Sequence, residues 1–185
     1  MKIHLNSWLK TGEIGPLKWG DSKNDILNVF PEWKTFFEES NKLKCPYLLV
    51  DDIEFYFEEN EFRELNLIVI GVWHFYRDYK SDFFSHDWIR HNLNIPSVRQ
   101  ILKKLNFNFE EAWIEDWQSH YIMPNRNVRL AFGDTDYDGF DENKTALQKI
   151  FISPIALTEK EITEKKIKIT LYNNTKKTSS SGRVS

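Results

Sequence analysis

Two stretches of alternating residues decide the fold: Ile53-Glu54-Phe55-Tyr56-Phe57 and Val128-Arg129-Leu130-Ala131-Phe132. Successive side chains of an extended chain point to opposite faces, so apolar residues at every second position mark a strand with one face on a core. Each stretch is followed by the same spacing, Leu-x-x-Ile-x-Ile, carried by Leu65, Ile68 and Ile70 and then by Leu147, Ile150 and Ile152. The recurrence suggests that one antiparallel unit is used twice.

Working outward, further landmarks recur in the same order. A Trp-aliphatic pair opens each unit, Trp8-Leu9 and Trp88-Ile89. A Ser follows, with an Ile-Leu pair behind it: Ser22 with Ile26-Leu27, and Ser97 with Ile101-Leu102. Each unit then has a Trp-bearing stretch, from Pro31 and from Ala112, and a short strand with a Tyr, Tyr47 and Tyr121. Asp21 or Ser22 is suited to cap a helix bearing Ile26, Val29 and Phe30. Pro96 and Ser97 are read as the start of a second helix with Val98, Ile101, Leu102 and Leu105 on one face. The expected fold is α+β: a tandem duplicated unit of helix plus antiparallel strands, with the helices on one face of the sheet. A single domain would span residues 1–158, with repeats at about 6–73 and 86–153. Residues 159–172 are expected to add a helix turn and a Lys-bearing edge strand, since charge discourages unwanted edge pairing. The polar stretch 173–185 is expected to be disordered.

The alternation also defines an opposite face. With Ile53, Phe55, Phe57, Val128, Leu130 and Phe132 turned to the helices, Glu54, Tyr56 and Arg129 turn away. With Ile68, Ile70 and Val72 inward, Leu67, Val69 and Trp73 turn outward, and Phe151 is their counterpart in the second unit. Aromatic residues and Arg are enriched at interface hot spots, so these seven are candidate partner-binding residues. The alternative is that the tail strand, a loop or a second subunit covers them.

Bulk properties narrow the function. The chain of 185 residues is 41% hydrophobic and 15% aromatic, enough to bury a sizeable core. Residues 1–158 carry 18 Lys+Arg against 25 Asp+Glu, whereas residues 159–185 carry 7 against 3. An acidic body argues against nucleic acid, whose phosphates need clustered positive charge, and suits a basic protein partner. No apolar run is long enough to span a membrane. One cysteine, Cys45, and no apolar signal core favour a cytoplasmic location.

Few motifs carry chemistry. Asp134, Asp136 and Asp138, followed by Gly139, resemble the first half of a calcium loop, but position 12 is Thr145 where a bidentate Glu belongs. An acidic hairpin loop is the plain alternative, and it would serve equally as a partner-binding element. The histidines His4, His74, His86, His91 and His120 lack zinc-site spacing. The carboxylate pairs Asp51-Asp52, Glu58-Glu59, Glu110-Glu111 and Glu115-Asp116 are read as solvated. No phosphate loop, nucleophile elbow or cofactor signature occurs, so an enzyme is not expected.

Gly20-Asp21-Ser22 with Ile26-Leu27, then a Tyr, an alternating strand ending in Phe, and Leu-x-x-Ile-x-Ile resemble one unit of the β-lactamase-inhibitor-protein-like fold. In that inhibitor two units stand in tandem and a concave sheet clamps a target enzyme. Compact bacterial immunity proteins against polymorphic toxins are similar in plan. The second unit departs from the pattern, with Ile95-Pro96-Ser97 at the helix start. The resemblance implies a non-catalytic, immunity-type inhibitor that occludes a partner protein, a basic toxin domain being one candidate. A small-ligand or calcium-binding module using residues 134–142 and an enzyme without a recognisable motif stay open as alternatives. The identity of the partner and the oligomeric state are not legible in the sequence.

Overall fold

The computed structural model describes residues 2–58, 64–76, 78–114, 119–133, 140–165 and 167–172. The fold is α+β. In chain order the elements are β1 (Ile3–His4), α1 (Leu5–Thr11), α2 (Lys23–Val29), a 3-10 turn (Pro31–Trp33) and α3 (Lys34–Leu43). Then come β2 (Tyr47–Val50), β3 (Ile53–Phe57), β4 (Leu65–Gly71), a second 3-10 turn (Val72–His74) and β5 (Phe84–Ser85). The second half holds α4 (Ile95–Lys104), β6 (Phe109–Ile114), β7 (Ser119–Asn125), β8 (Val128–Phe132), β9 (Leu147–Ile152), α5 (Glu159–Glu164) and β10 (Lys168–Tyr172). Eight strands form one antiparallel sheet in the order β10-β6-β7-β8-β9-β4-β3-β2, and β1 pairs with β5 in a small parallel sheet.

The two hairpins have the same register. Ile53 pairs with Ile70, Phe55 with Ile68 and Phe57 with Leu65; in the second unit Val128 pairs with Ile152, Leu130 with Ile150 and Phe132 with Leu147. Even the irregularity recurs at one place, between Tyr56 and Phe57 and between Ala131 and Phe132. The units join through β4 and β9, where Ile68 meets Ile152 and Ile70 meets Ile150. Equivalent residues thus exchange partners about a local twofold at the Val69–Phe151 pair.

The helices obey local rules. Ser22 caps α2 in a reciprocal box with Asp25, which satisfies two backbone donors at the helix start. Asn94, not Ser97, caps α4: its side chain accepts from the Ser97 N–H at 3.0 Å, and the helix begins at Ile95. Pro96 then sits in the first turn, where its missing N–H costs nothing. The Trp-bearing stretches do not match in structure. Pro31–Trp33 leads into helix α3, whereas Ala112 and Trp113 lie in strand β6. Pairing on both sides, with β7 and β10, holds the latter extended.

Helices α1 to α4 pack on one face of the sheet through a continuous apolar core. Trp33, fully buried, stands at its centre. It stacks on Phe30 at 4.4 Å and meets Phe55 at 5.3 Å, Phe83 at 5.8 Å and Phe84 at 6.0 Å. Helix α5 lies on the other face, where Leu157, Ile162, Ile167 and Ile169 gather on Ala112, Tyr121 and Met123 of β6 and β7. Replacement Trp33→Ala leaves a large cavity at the meeting point of four rings, so the midpoint of urea unfolding should fall by an amount equivalent to about 3–5 kcal/mol.

Candidate functional site

The outer face is laid out by the strand register. One row of cross-strand neighbours runs Leu49, Glu54, Val69, Phe151, Arg129. Beside it run Tyr47, Tyr56 and Leu67 on one side, and Gly71, Lys149, Ala131 and Tyr121 on the other. Six of the candidates therefore share one surface through pairing alone: Glu54, Tyr56, Leu67, Val69, Phe151 and Arg129. Trp73 joins them differently. It lies in the 3-10 turn after β4, and its ring folds back over Gly71, where an added Cβ would stand 2.9 Å from the indole. Of the seven, Val69 is buried and the rest are half-buried. Asp134, Asp136 and Asp138 lie outside the described residues, so the calcium-loop reading is not addressed by the structure.

The polar groups of this face fall into two kinds. The Tyr56 hydroxyl donates to Glu54 Oε2 at 2.8 Å, and the Tyr47 and Tyr56 rings lie 5.1 Å apart. Burial, then the hydrogen bond to Glu54, push the Tyr56 hydroxyl above its ordinary range, so it stays protonated and donating. The cations are less engaged. Lys149 Nζ stands 5.2 Å from the centre of the Trp73 ring, a cation–π contact. Arg129 Nε is buried without a hydrogen-bond acceptor among the described residues.

The cover left open by the sequence falls on one half of the face. Leu157, Ile162 of α5 and Ile167 lie over β6 and β7, held by Arg126, which bridges Glu110 of β6 and Glu159 of α5. The strip over β2, β3, β4, β9 and β8 keeps partly accessible aromatic and apolar side chains, with Leu49 exposed.

A second polar cluster was not foreseen. Glu110-Glu111, read as solvated, is not: the Glu111 side chain is only 4% exposed, on the helix-facing side of β6. Arg99 of α4 clamps it with Nε and an Nη, each at 2.6 Å, and also engages Glu142. His120 Nε2 lies 3.0 Å from Glu111 Oε2, and Phe140 stacks on the His120 ring at 5.7 Å. The network ties residues 140–142 to α4 and β6. The signal for it was present in sequence: Glu111 alternates with Phe109 and Trp113 and so must share their face. Asp51 is likewise engaged, its carboxylate accepting from Ser81 Oγ at 2.6 Å and from the Asp82 N–H at 3.1 Å.

Among the described residues no group of three or more His, Cys, Asp or Glu side chains converges as a metal site. His86 is packed against Phe75 and Tyr79, and burial pushes its pKa down. An open groove of about 160 Å³ lies along β6 and β7, lined by Asn108, Glu110, Pro124 and Arg126 among others. Among the described residues no helix is long and apolar enough to cross a membrane. Comparison with protein-family models, with curated proteins and with solved structures gave no match.

The Arg99 network fixes two expected outcomes. Replacement Arg99→Met strands the buried Glu111 carboxylate and should lower stability by about 3 kcal/mol in chemical denaturation at pH 7. Burial pushes Glu111 up, but the hydrogen bonds from Arg99 and the close approach of His120 outweigh it and hold its pKa below the ordinary range; Arg99 does the same to Glu142. The unfolded chain therefore takes up these protons first on acidification. Their stabilisation should be complete above about pH 5 and be lost as the pH falls through the folded-state values. Unfolding midpoints measured from pH 7 to pH 3 should drop less steeply in the Arg99→Met protein than in the parent.

Proposed function

We propose that this chain is a non-catalytic protein-binding module, an immunity-type inhibitor that occludes a partner protein with the uncovered strip of its outer sheet face. The observation that carries this reading is the composition of that strip: Tyr47, Leu49, Tyr56, Trp73 and Phe151 beside Glu54, Lys149 and Arg129, on the half of the sheet that α5 does not cover. Large rigid aromatics bury much area at low entropic cost, and polar groups among them fix orientation. Two equivalent units joined edge to edge give such a strip the width of five strands, at about 4.8 Å spacing. This is enough for a globular partner and wider than a small ligand needs. The tandem arrangement is also the one in which the inhibitor fold noted above presents a sheet to its target.

The test is co-expression with the toxin domain encoded by a neighbouring gene. The parent chain should restore growth and copurify with the toxin in a fixed ratio. Replacements Tyr56→Ala and Trp73→Ala should each weaken the isolated complex by about 2 kcal/mol, roughly thirtyfold in Kd, while the circular dichroism spectrum and melting temperature stay near the parent's. A parent chain that neither rescues nor copurifies with such a neighbour would sink the inhibitor reading. Variants that bind normally would move the contact off this face.

A further inference from the structure

The three described arginines with buried guanidinium atoms or ion pairs are not treated alike. Arg99 is clamped by Glu111 and Glu142, and Arg126 by Glu110 and Glu159. Arg129, on the outer face of β8, forms no hydrogen bond or ion pair with any described residue, and its Nε is removed from water without an acceptor. A buried N–H donor without a partner is costly, and the Nη groups of the same guanidinium, which are not among the buried atoms, are where an acceptor from outside can engage it. Glu161 of α5 feels the charge of Arg129, but its carboxylate is committed elsewhere, accepting from the Thr158 N–H and Oγ1, both at 2.9 Å, in the helix cap.

Lys149 repeats the pattern. No described carboxylate lies within 4.0 Å of it, and its ammonium rests at the Trp73 ring. Phe151 is the cross-strand neighbour of Arg129, and Ala131 that of Lys149, so the two cations are diagonal neighbours, roughly 7–8 Å apart along the backbone. Gly71 and Ala131 flank Lys149 on either side; the Trp73 ring fills the space above Gly71, and the small Ala131 side chain lies on the side of Arg129. The acid of the same face, Glu54, already accepts from Tyr56.

We infer that the centre of this face is a carboxylate-recognition point, at which Arg129 and Lys149 together receive an Asp or Glu side chain from an acidic loop of the protein partner, flanked by the Trp73 and Phe151 rings. The inference rests on the reading of this face as partner-binding and names the chemistry at its middle. A protein carboxylate fits better than a nucleic-acid backbone. Only two cations lie at this point, Glu161 is close enough to feel the charge of Arg129, and residues 1–158 carry 25 acidic against 18 basic side chains, which repels a polyanion. It also revises the picture drawn from net charge alone: the body is acidic, but the part of the face with unmet charge is cationic.

The probe is a displayed library of random 12-residue peptides selected on the full chain, with nuclear magnetic resonance used to map where the selected peptides bind. The expected result is enrichment of Asp or Glu next to aromatic or aliphatic residues, with shifts at Lys149, Phe151 and the Trp73 indole N–H. Replacements Arg129→Gln and Lys149→Met keep much of each side chain's packing and should each weaken the selected peptides roughly tenfold or more. Arg129→Glu with Lys149→Glu should invert the selection toward Lys and Arg. Folding of each variant is checked by its amide spectrum, and Arg129→Gln alone suffices if the double variant unfolds. Peptides that map to this face without acidic preference, or that bind the Gln and Met variants as well as the parent, overturn the carboxylate point but leave the face as a partner site. Peptides that map elsewhere, or no selection at all, overturn both. Tighter binding of a 20-nucleotide single strand at the same resonances, or dimerisation of the chain through this face, would replace the proposed occupant.

Discussion

The pairing of β4 with β9 is the contact on which the rest of the molecule depends. Ile68, Val69, Ile70 and Gly71 meet Ile152, Phe151, Ile150 and Lys149, and among the described residues no other strand pair connects the first three-strand hairpin system to the second. Because both strands bury alternate isoleucines against the helices, a slip of one residue would turn the two isoleucines of the shifted strand to the outer face. The core thus enforces the register. The register in turn places every outer-face residue: Glu54, Val69, Phe151 and Arg129 form a row only because Val69 faces Phe151.

The local twofold at that pair makes the two hairpins equivalent, but the chain around them is not. The first unit is backed by α2 and α3 and the aromatic cluster of Trp33, whereas the second extends through β6 to the edge strand β10. The extra strands need cover on both sides. Helix α4 supplies it on the inner side, with Arg99 neutralising the buried Glu111, and α5 supplies it on the outer side over Ala112 and Met123. A nearly symmetric sheet thereby acquires an asymmetric surface, and the uncovered half is richer in aromatic side chains. Charge follows the same division. Arg99 and Arg126 are spent in holding elements together, and Arg129 and Lys149 are left on the open strip.

Much of this layout was legible because it is local. Period-two alternation assigns a face to each residue of a strand, so the inward Ile53, Phe55, Val128 and Leu130 and the outward Glu54, Tyr56 and Arg129 follow from spacing. The matched Leu-x-x-Ile-x-Ile segments were enough to suggest that one antiparallel unit is used twice. The candidate face was legible for the same reason, except for Trp73, which reaches it from a turn by folding onto Gly71. The failures came where spacing is silent or was overruled. The stretch around Trp113 looked like a second copy of the stretch around Trp33, yet one is a strand and the other leads into a helix, since pairing with β7 and β10 outweighs local preference. Glu111 was grouped with its neighbour Glu110 as a solvated run, although adjacent strand residues face opposite ways.

The sequence by itself determined the class of the fold and the inward and outward sets of β3, β4, β8 and β9, because these depend on residues close together along the chain. Tertiary structure alone decided that β10 returns to pair with β6, that α5 crosses to the far face, and that Arg99 finds Glu111 and Glu142 while Arg129 forms no ion pair with a described carboxylate. Those outcomes depend on which distant segments compete for the same apolar surface and the same charge. That competition is settled by the packed whole, and no local pattern records it.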